Sequence, residues 1–308
     1  MKMRWISLIR GFDDILKLAK KKGPKTVSVA VAQDKEVLSA VKEAKKLGIA
    51  DAILVGDKDE ITNLAKEIDM DLSEFQIEDI KDEKEASLKS VELVSTGKAH
   101  MVMKGLVETS TILKAVLNGD VGLRTGKVLS HVAVFDLPTY EKVLLVSDAA
   151  MNISPSLEQK KEILENAAFV GHSLDIDEPK VGVICAKEKV NPKMPDTIDA
   201  QKLTEMNENG EIKGCKVKGP FALDNAISKE AAKHKGINHP VAGDADILLM
   251  PDIEAGNVLY KALVFLAGAE NAGVIVGAKA PVVLTSRADS DSAKLNSIAL
   301  GVLMASKK

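Results

Sequence analysis

Short runs of β-branched and aliphatic residues alternate with stretches of helical period along the whole of this 308-residue chain. That alternation limits the fold more than any other feature. The runs at residues 26–32 (TVSVAVA), 52–55 (AILV), 100–103, 130–135 (SHVAVF), 143–146 (VLLV), 181–185 (VGVIC), 215–217, 247–250 (ILLM), 274–276 and 282–284 are each the length of a buried strand. Between them, apolar residues recur as on one helix face. Phe12, Ile15, Leu16 and Ala19 stand at i, i+3, i+4 and i+7, the spacing of an amphipathic helix. Further helices are expected near 37–47, 59–68, 83–95, 109–117, 157–173, 196–207, 222–234, 254–266 and 290–304. Strand and helix in turn make parallel βαβ units, with both sheet faces covered by helices. The chain therefore reads as α/β, with a break in the alternation near Pro138.

The composition agrees with this architecture and excludes others. Hydrophobic residues make up 45% of the chain but aromatics only 3%, so the core is built from Val, Ile, Leu and Ala. So few rings leave no platform for stacking nucleic-acid bases. The 42 basic and 45 acidic residues nearly cancel, which argues against a nucleic-acid or anionic-membrane surface. Cys185 and Cys215, thirty apart, form no C-x-x-C pair and suit a reducing cytoplasm. No stretch is apolar for the ~20 residues of a membrane span, and the apolar start is cut short by Arg10.

Absent motifs narrow the chemistry. No G-x-G dinucleotide fingerprint occurs. The segment Gly122-Leu123-Arg124-Thr125-Gly126-Lys127 has three residues between its glycines and Val128 after its lysine, so it is no Walker A loop. Zincin and serine-hydrolase signatures are missing, and the five histidines are scattered. No metal site is expected.

Ligands of open α/β sheets bind beyond the carboxyl ends of strands, and four junctions carry polar and cationic residues. After residue 103 stand Lys104 and Gly105, with Thr109 or Ser110 placed to cap the next helix. The Gly122–Lys127 loop offers Arg124 and Thr125 and runs into Ser130 and His131. After residue 250 come Asp252, Glu254, Gly256, Asn257, Tyr260 and Lys261, in which Gly-Asn early in a helix breaks propensity. After residue 284, Ser286, Arg287 and Asp289 precede the last helix, with Asp289, Ser290 or Asp291 as its cap. Lys104, Arg124 and Arg287 together suggest direct cationic binding of phosphate.

At these residues the chain resembles the phosphate acetyl/butyryl transferase family, and its butyryl branch in particular. The resemblance is carried by PDIEAGNVLYK (251–261), Gly277, Pro281, APVVLTSRADS (280–290), VAVAQD (29–34), ADAILVGD (50–57), ELVSTGKA (92–99), MVMKGLV (101–107), GLRTGK with SHVAVF, and NPKMPDT (191–197). It implies a two-domain α/β fold like that of isocitrate and isopropylmalate dehydrogenases, with mostly parallel sheets, helices on both faces and the site between domains. Residues 1–138 and 276–308 would form a discontinuous first domain and 139–275 an inserted second one. The implied reaction is butanoyl-CoA plus phosphate giving butanoyl phosphate plus CoA, by direct transfer in a ternary complex. Coenzyme A is then substrate or product, and no tightly bound cofactor is expected. A homodimer or larger homo-oligomer and an acyl kinase as functional partner also follow from the resemblance.

Residue by residue, Ser286 and Arg287 match the family's Ser-Arg pair, with Asp289 a candidate acid–base group. Lys104, Thr109, Arg124, Thr125, Ser130 and His131 are candidates for phosphate. Asp252, Glu254, Gly256, Asn257, Tyr260 and Lys261 are candidates for CoA. Acetyl-transferring relatives carry an Asp six residues after the arginine, where this chain has Ala293. Lys114 stands where they have a second arginine, and Thr285 where they have an acid. The competing readings are a phosphotransacylase acting on acetyl- or branched-chain acyl-CoA, an NAD(P)-dependent hydroxyacid dehydrogenase of the same fold and a non-catalytic CoA or acyl-phosphate sensor.

Overall fold

A computed structural model describes residues 9–285 and 289–307. Among them, in chain order, stand α1 (Phe12–Lys22), β1 (Lys25–Ala30), α2 (Lys35–Lys46), β2 (Ala50–Gly56), α3 (Lys58–Glu67), β3 (Gln76–Asp79), α4 (Glu83–Ser95), β4 (Met101–Lys104), α5 (Thr109–Val116), β5 (Ser130–Asp136), β6 (Leu144–Ser147), α6 (Leu157–Ser173), β7 (Lys180–Ile184), α7 (Pro195–Glu208), β8 (Lys216–Phe221), α8 (Leu223–Ile227), α9 (Lys229–His234), β9 (Ile247–Leu249), α10 (Ile253–Lys261), β10 (Glu270–Val276), β11 (Val282–Val283) and α11 (Asp291–Ala305). The expected alternation is present. Its strand-to-helix junctions are set by local chemistry. Asp34, Asp57 and Asp82 each cap the helix that follows, accepting bonds from backbone N–H groups of its first turn, a device worth about 1 kcal/mol per helix.

The chain divides into two compact units, each built from two separate stretches. The terminal unit is Phe12–Lys127 with Asn271–Lys308, and the central unit is Met1–Gly11 with Val128–Glu270. In the terminal unit the strands run in the order β3-β2-β1-β4-β11-β10, all parallel except the β10–β11 pair. In the central unit the order is β5-β6-β9-β7-β8, all parallel except β5–β6. The inner strands are buried on both faces, with β4, β6 and β9 covered throughout, as parallel sheets require, whereas the edge strand β3 has no buried residue.

The two antiparallel pairs depart from the uniform βαβ pattern, and connection length explains both. Only residues 137–143 join β5 to β6, and only 277–281 join β10 to β11. A parallel crossover needs a dozen residues or more. The expected helix over 222–234 is two short helices. Ser228 ends α8 and caps α9, its hydroxyl accepting from the Ala231 N–H. The expected helix over 254–266 is α10 followed by a π-helical turn, Ala262–Leu266. Among the described residues no helix is long and apolar enough to cross a membrane.

Candidate active site

In the terminal unit the candidate residues gather at the carboxyl ends of neighbouring strands. β4 and β11 are parallel and in register, Val102 beside Val282 and Met103 beside Val283. Lys104 closes β4 and is 95% buried by the complement of its 5% exposure. Its Nζ donates to the carbonyls of Gly105 (3.1 Å) and Val107 (3.2 Å), curling the loop around the ammonium. Glycine is needed at 105 because a Cβ there would stand 2.2 Å from the Val31 carbonyl oxygen. Val31 itself, at the end of β1, holds φ at 56°. A β-branched residue in the left-handed region is a genuine strain, of order 1–3 kcal/mol, and it lies at the same sheet edge. Thr109 is the exposed first residue of α5, whose N-cap is Glu108 without a side-chain bond. The expectation that Thr109 or Ser110 caps this helix is thus corrected.

The loop after β11 carries the Ser-Arg motif. Ser286 and Arg287 lie outside the described residues. The described part resumes at Asp289, whose backbone carbonyl accepts from Lys294 Nζ. Ser290 is the N-cap of α11, its hydroxyl accepting from the Ala293 N–H. Arg124 and Thr125 lie elsewhere in this unit. Their loop is tied to the 277–281 connection by Thr125 Oγ1 donating to the Gly277 carbonyl and Lys279 N–H donating to Leu123 (2.8 Å). That connection precedes β11, so Arg124 sits at the opposite end of β4 and β11 from Lys104. The segment joins a helix to a strand and is not one of the strand-to-helix junctions. Among the described residues the exposed Arg124 guanidinium makes no ion pair.

In the central unit the antiparallel β5–β6 pair brings the start of β5 to the carboxyl ends of β6 and β9. Ser130 is fully buried and its hydroxyl accepts from Asn166 Nδ2 at 2.9 Å. His131 is buried, with its ring 6.2 Å from that of Tyr260. Tyr260 also meets Phe135 edge-on at 5.3 Å. Asp252 caps α10 as expected, Oδ1 accepting from the Ala255 N–H at 2.8 Å. Glu254 and Lys261 are exposed on that helix. Lys261 Nζ lies 5.4 Å from the Tyr260 ring centre, within cation–π range.

The residue that organises this corner is one the sequence reading passed over. Asp148, 3% exposed, follows β6. Its carboxylate accepts from the N–H groups of His131 (3.1 Å), Ala150 (2.8 Å) and Met151 (3.0 Å) and from Asn152 Nδ2 (2.5 Å). The early-helix glycine is now explained. A Cβ on Gly256 would stand 2.3 Å from the Asp148 carbonyl oxygen. Asn257 then reaches over the same turn, Nδ2 donating to the Ala149 carbonyl at 3.2 Å. The signal that would have found Asp148 is its place, an acid followed by two alanines at the end of a short buried strand.

Both cysteines are buried and unlinked. Burial pushes the Cys185 thiol up to about 12 and that of Cys215 to about 11, which makes either a poor nucleophile. Among the described residues no three His, Cys, Asp or Glu side chains gather as a metal site.

Comparison with known proteins decides the family. The model of the family described as phosphate acetyl/butaryl transferase matches residues 12–90 and 83–302. The chain belongs to this family. Among curated relatives, it is similar to the phosphate butyryltransferase of Clostridium acetobutylicum, 56% identical over 98% of this chain and 100% of that one. It is 47% identical to the phosphate acetyltransferase of Thermotoga maritima, over 95% of this chain and 99% of the relative. Among solved structures, a branched-chain phosphotransacylase from Enterococcus faecalis aligns with TM-score 0.82 and 36% identity, covering 91% of this chain and 99% of that one. A candidate 4-hydroxythreonine-4-phosphate dehydrogenase from Salmonella typhimurium aligns at TM-score 0.56 and 12% identity, over 91% of this chain and 99% of that one. At that identity it speaks for the fold alone, which is dehydrogenase-like, as expected.

Proposed function

We propose that this phosphate acyltransferase converts butanoyl-CoA and inorganic phosphate to butanoyl phosphate and CoA. The observation that carries the reading is the full-length likeness to a phosphate butyryltransferase at 56% identity. A phosphate oxygen attacks the thioester carbonyl, a tetrahedral oxyanion forms, and the C–S bond breaks as the CoA thiolate leaves and takes up a proton. Arg287 holds the phosphate, and the Lys104 ammonium adds fixed positive charge at the carboxyl end of β4. Thr109, at the first turn of α5, offers that helix's N–H groups. Ser286 stabilises the oxyanion, and Asp289 exchanges the thiol proton. Holding the two substrates in line supplies much of the rate, up to ~7–11 kcal/mol in favourable cases. Gly256, Asn257, Tyr260 and Lys261 serve CoA, with His131 packed behind Tyr260. Asp252 and Ser130 fix the backbone that carries them. Arg124 and Thr125 hold a loop at the far end of β4 and do not share the Lys104 phosphate site in this reading.

The raised thiol of Cys185 supports direct transfer over an acyl-cysteine route. The exposed apolar side chains of Val258 on α10 and of Phe265 and Leu266 on the π-helical turn that continues it support assembly as a homodimer. Two unlinked thiols fit a cytoplasmic setting. The product, a mixed anhydride of high transfer potential, calls for an acyl kinase as the next enzyme.

The test is release of free thiol from butanoyl-CoA with and without phosphate. Release only with phosphate is expected. Release without it would make the protein a thioesterase, and binding with no turnover on any acyl-CoA would make it a sensor. The second reading, transfer of acetyl or branched acyl groups, is favoured by the Thermotoga and Enterococcus likenesses. A kcat/KM series over acetyl-, propionyl-, butanoyl- and isobutyryl-CoA separates the two. One methylene is worth about 1–3 kcal/mol in an apolar pocket, so a butyryl enzyme should prefer butanoyl-CoA to acetyl-CoA by at least tenfold.

A further inference from the structure

In the central unit a cavity of about 470 Å³ opens at the amino ends of the strands, away from the corner held by Asp148. The register puts Leu145, Ile247 and Val181 side by side. The segments that lead into them, within 139–142, 243–246 and 176–180, therefore line one space. Small-molecule sites usually measure ~300–1,000 Å³. Active sites of parallel sheets lie at the carboxyl ends of the strands, so this space is no part of the acyl-transfer site.

Its floor is fixed. The buried Lys142 Nζ donates to Asp246 Oδ1 (2.5 Å) and to the Asp244 carbonyl (2.9 Å), and it pairs with Asp244 Oδ1 (3.1 Å). That spends its three donors. Lys180 donates through Nζ to Asp244 Oδ2 and through its N–H to Asp246 Oδ2 (2.8 Å). Two ammonium groups and two carboxylates thus cancel, and they tie three strand starts together. Tyr140 Oη donates to the Ala245 carbonyl (2.8 Å), and burial pushes its ionisation above the ordinary tyrosine range. No histidine or cysteine lines the cavity among the described residues. The frame is built to bind rather than to react.

What the frame leaves over selects the ligand. Glu178 is held by Lys216 (2.8 Å). Lys229 and Glu141 are exposed at the cavity and make no hydrogen bond or ion pair among the described residues. Ile176 and Ile227, both half-buried, supply apolar surface. Three lysines face four acids around this space, so CoA or free phosphate would meet as much negative charge as positive. A ligand with one charge of each sign and an aliphatic body meets none of that repulsion.

We propose that this cavity binds a free amino acid with an apolar side chain. Its carboxylate pairs with Lys229, its ammonium with Glu141, and its side chain lies against Ile176 and Ile227. The site goes beyond the acyl-transfer reading and does not depend on it.

The experiment is an NMR titration of the full chain with L-leucine, 4-methylpentanoate and 3-methylbutylamine. The last two keep the aliphatic body and one charge each. Leucine should bind with a Kd of about 1 mM or tighter, and each single-charge analogue at least tenfold more weakly. Lys229→Ala and Glu141→Gln should each weaken leucine binding at least tenfold. Both side chains are exposed, so both variants fold, and their kcat/KM for butanoyl-CoA without leucine should stay within twofold of wild type. No leucine binding at this strength overturns the proposal. So does leucine binding unchanged in either variant, or an analogue with one charge bound as tightly as leucine. Binding is read without turnover, so a protein that fails to transfer acyl groups would leave this result standing, and failed binding would leave the transfer reading intact.

Discussion

Asp148 in the central unit and Lys294 in the terminal unit are both buried charges at loops that follow strands, and they are provided for in opposite ways. The Asp148 carboxylate accepts four hydrogen bonds, three from backbone N–H groups and one from Asn152. The Lys294 ammonium has one carbonyl. The first charge is consumed by the fold: it ties the starts and ends of β5 and β6 together and sets the turn that Gly256 packs on. The second has a single backbone carbonyl to set against its three donors. A buried charge with full satisfaction reads as architecture.

Three substitutions bear on that contrast, from the largest expected effect to the smallest. Asp148→Ala strips the acceptor from four donors in a dry corner. Hydrogen bonds to a charged group are worth ~1.5–3 kcal/mol each, so a loss of at least ~3 kcal/mol in urea unfolding is expected, with activity falling alongside. A loss below ~1 kcal/mol would mean that the turn relaxes freely and the contrast is empty. Gly256→Ala is sharper in sign. In an ordinary helix alanine gains ~0.5–1 kcal/mol over glycine. Here the new methyl meets the Asp148 carbonyl, and a cost of ~1–3 kcal/mol is expected, with at least tenfold lower kcat/KM. Stabilisation by this variant would show that the corner does not depend on close approach. Ser290→Ala removes the cap of α11 beside Lys294. About 1 kcal/mol of stability should go in urea unfolding. No loss of stability would show that the α11 cap contributes nothing to holding the helix start.

Much of this was legible in advance. The strand runs and helical spacings are periodic signals that one sequence carries openly, and the acids at 34, 57 and 82 mark their own helix starts. The two antiparallel pairs were legible in principle from connections of a few residues. The Gly-Asn anomaly at 256 and 257 marks the place where α10 packs closely on the Asp148 turn. Three things were hidden. Arg124 looked like a partner of Lys104 because both are cations near glycines, but α5 carries the chain from one end of β4 to the other between them. Asp148 belongs to none of the motifs that the sequence offered. Lys294 belongs to none of them either, and nothing local reveals that eleven residues of α11 are buried.

By itself, then, the sequence determined the secondary structure, the α/β class, the apolar make-up of the core and the family. Those depend on period and on residue type within short windows. Only the tertiary structure decided which strand ends adjoin, why residues 105 and 256 must be glycine, and which buried charge is satisfied. Each of these depends on pairs distant in the chain, His131 with Asp148, Gly256 with the same turn, β4 with β11, and a local pattern holds no record of what folds back against it.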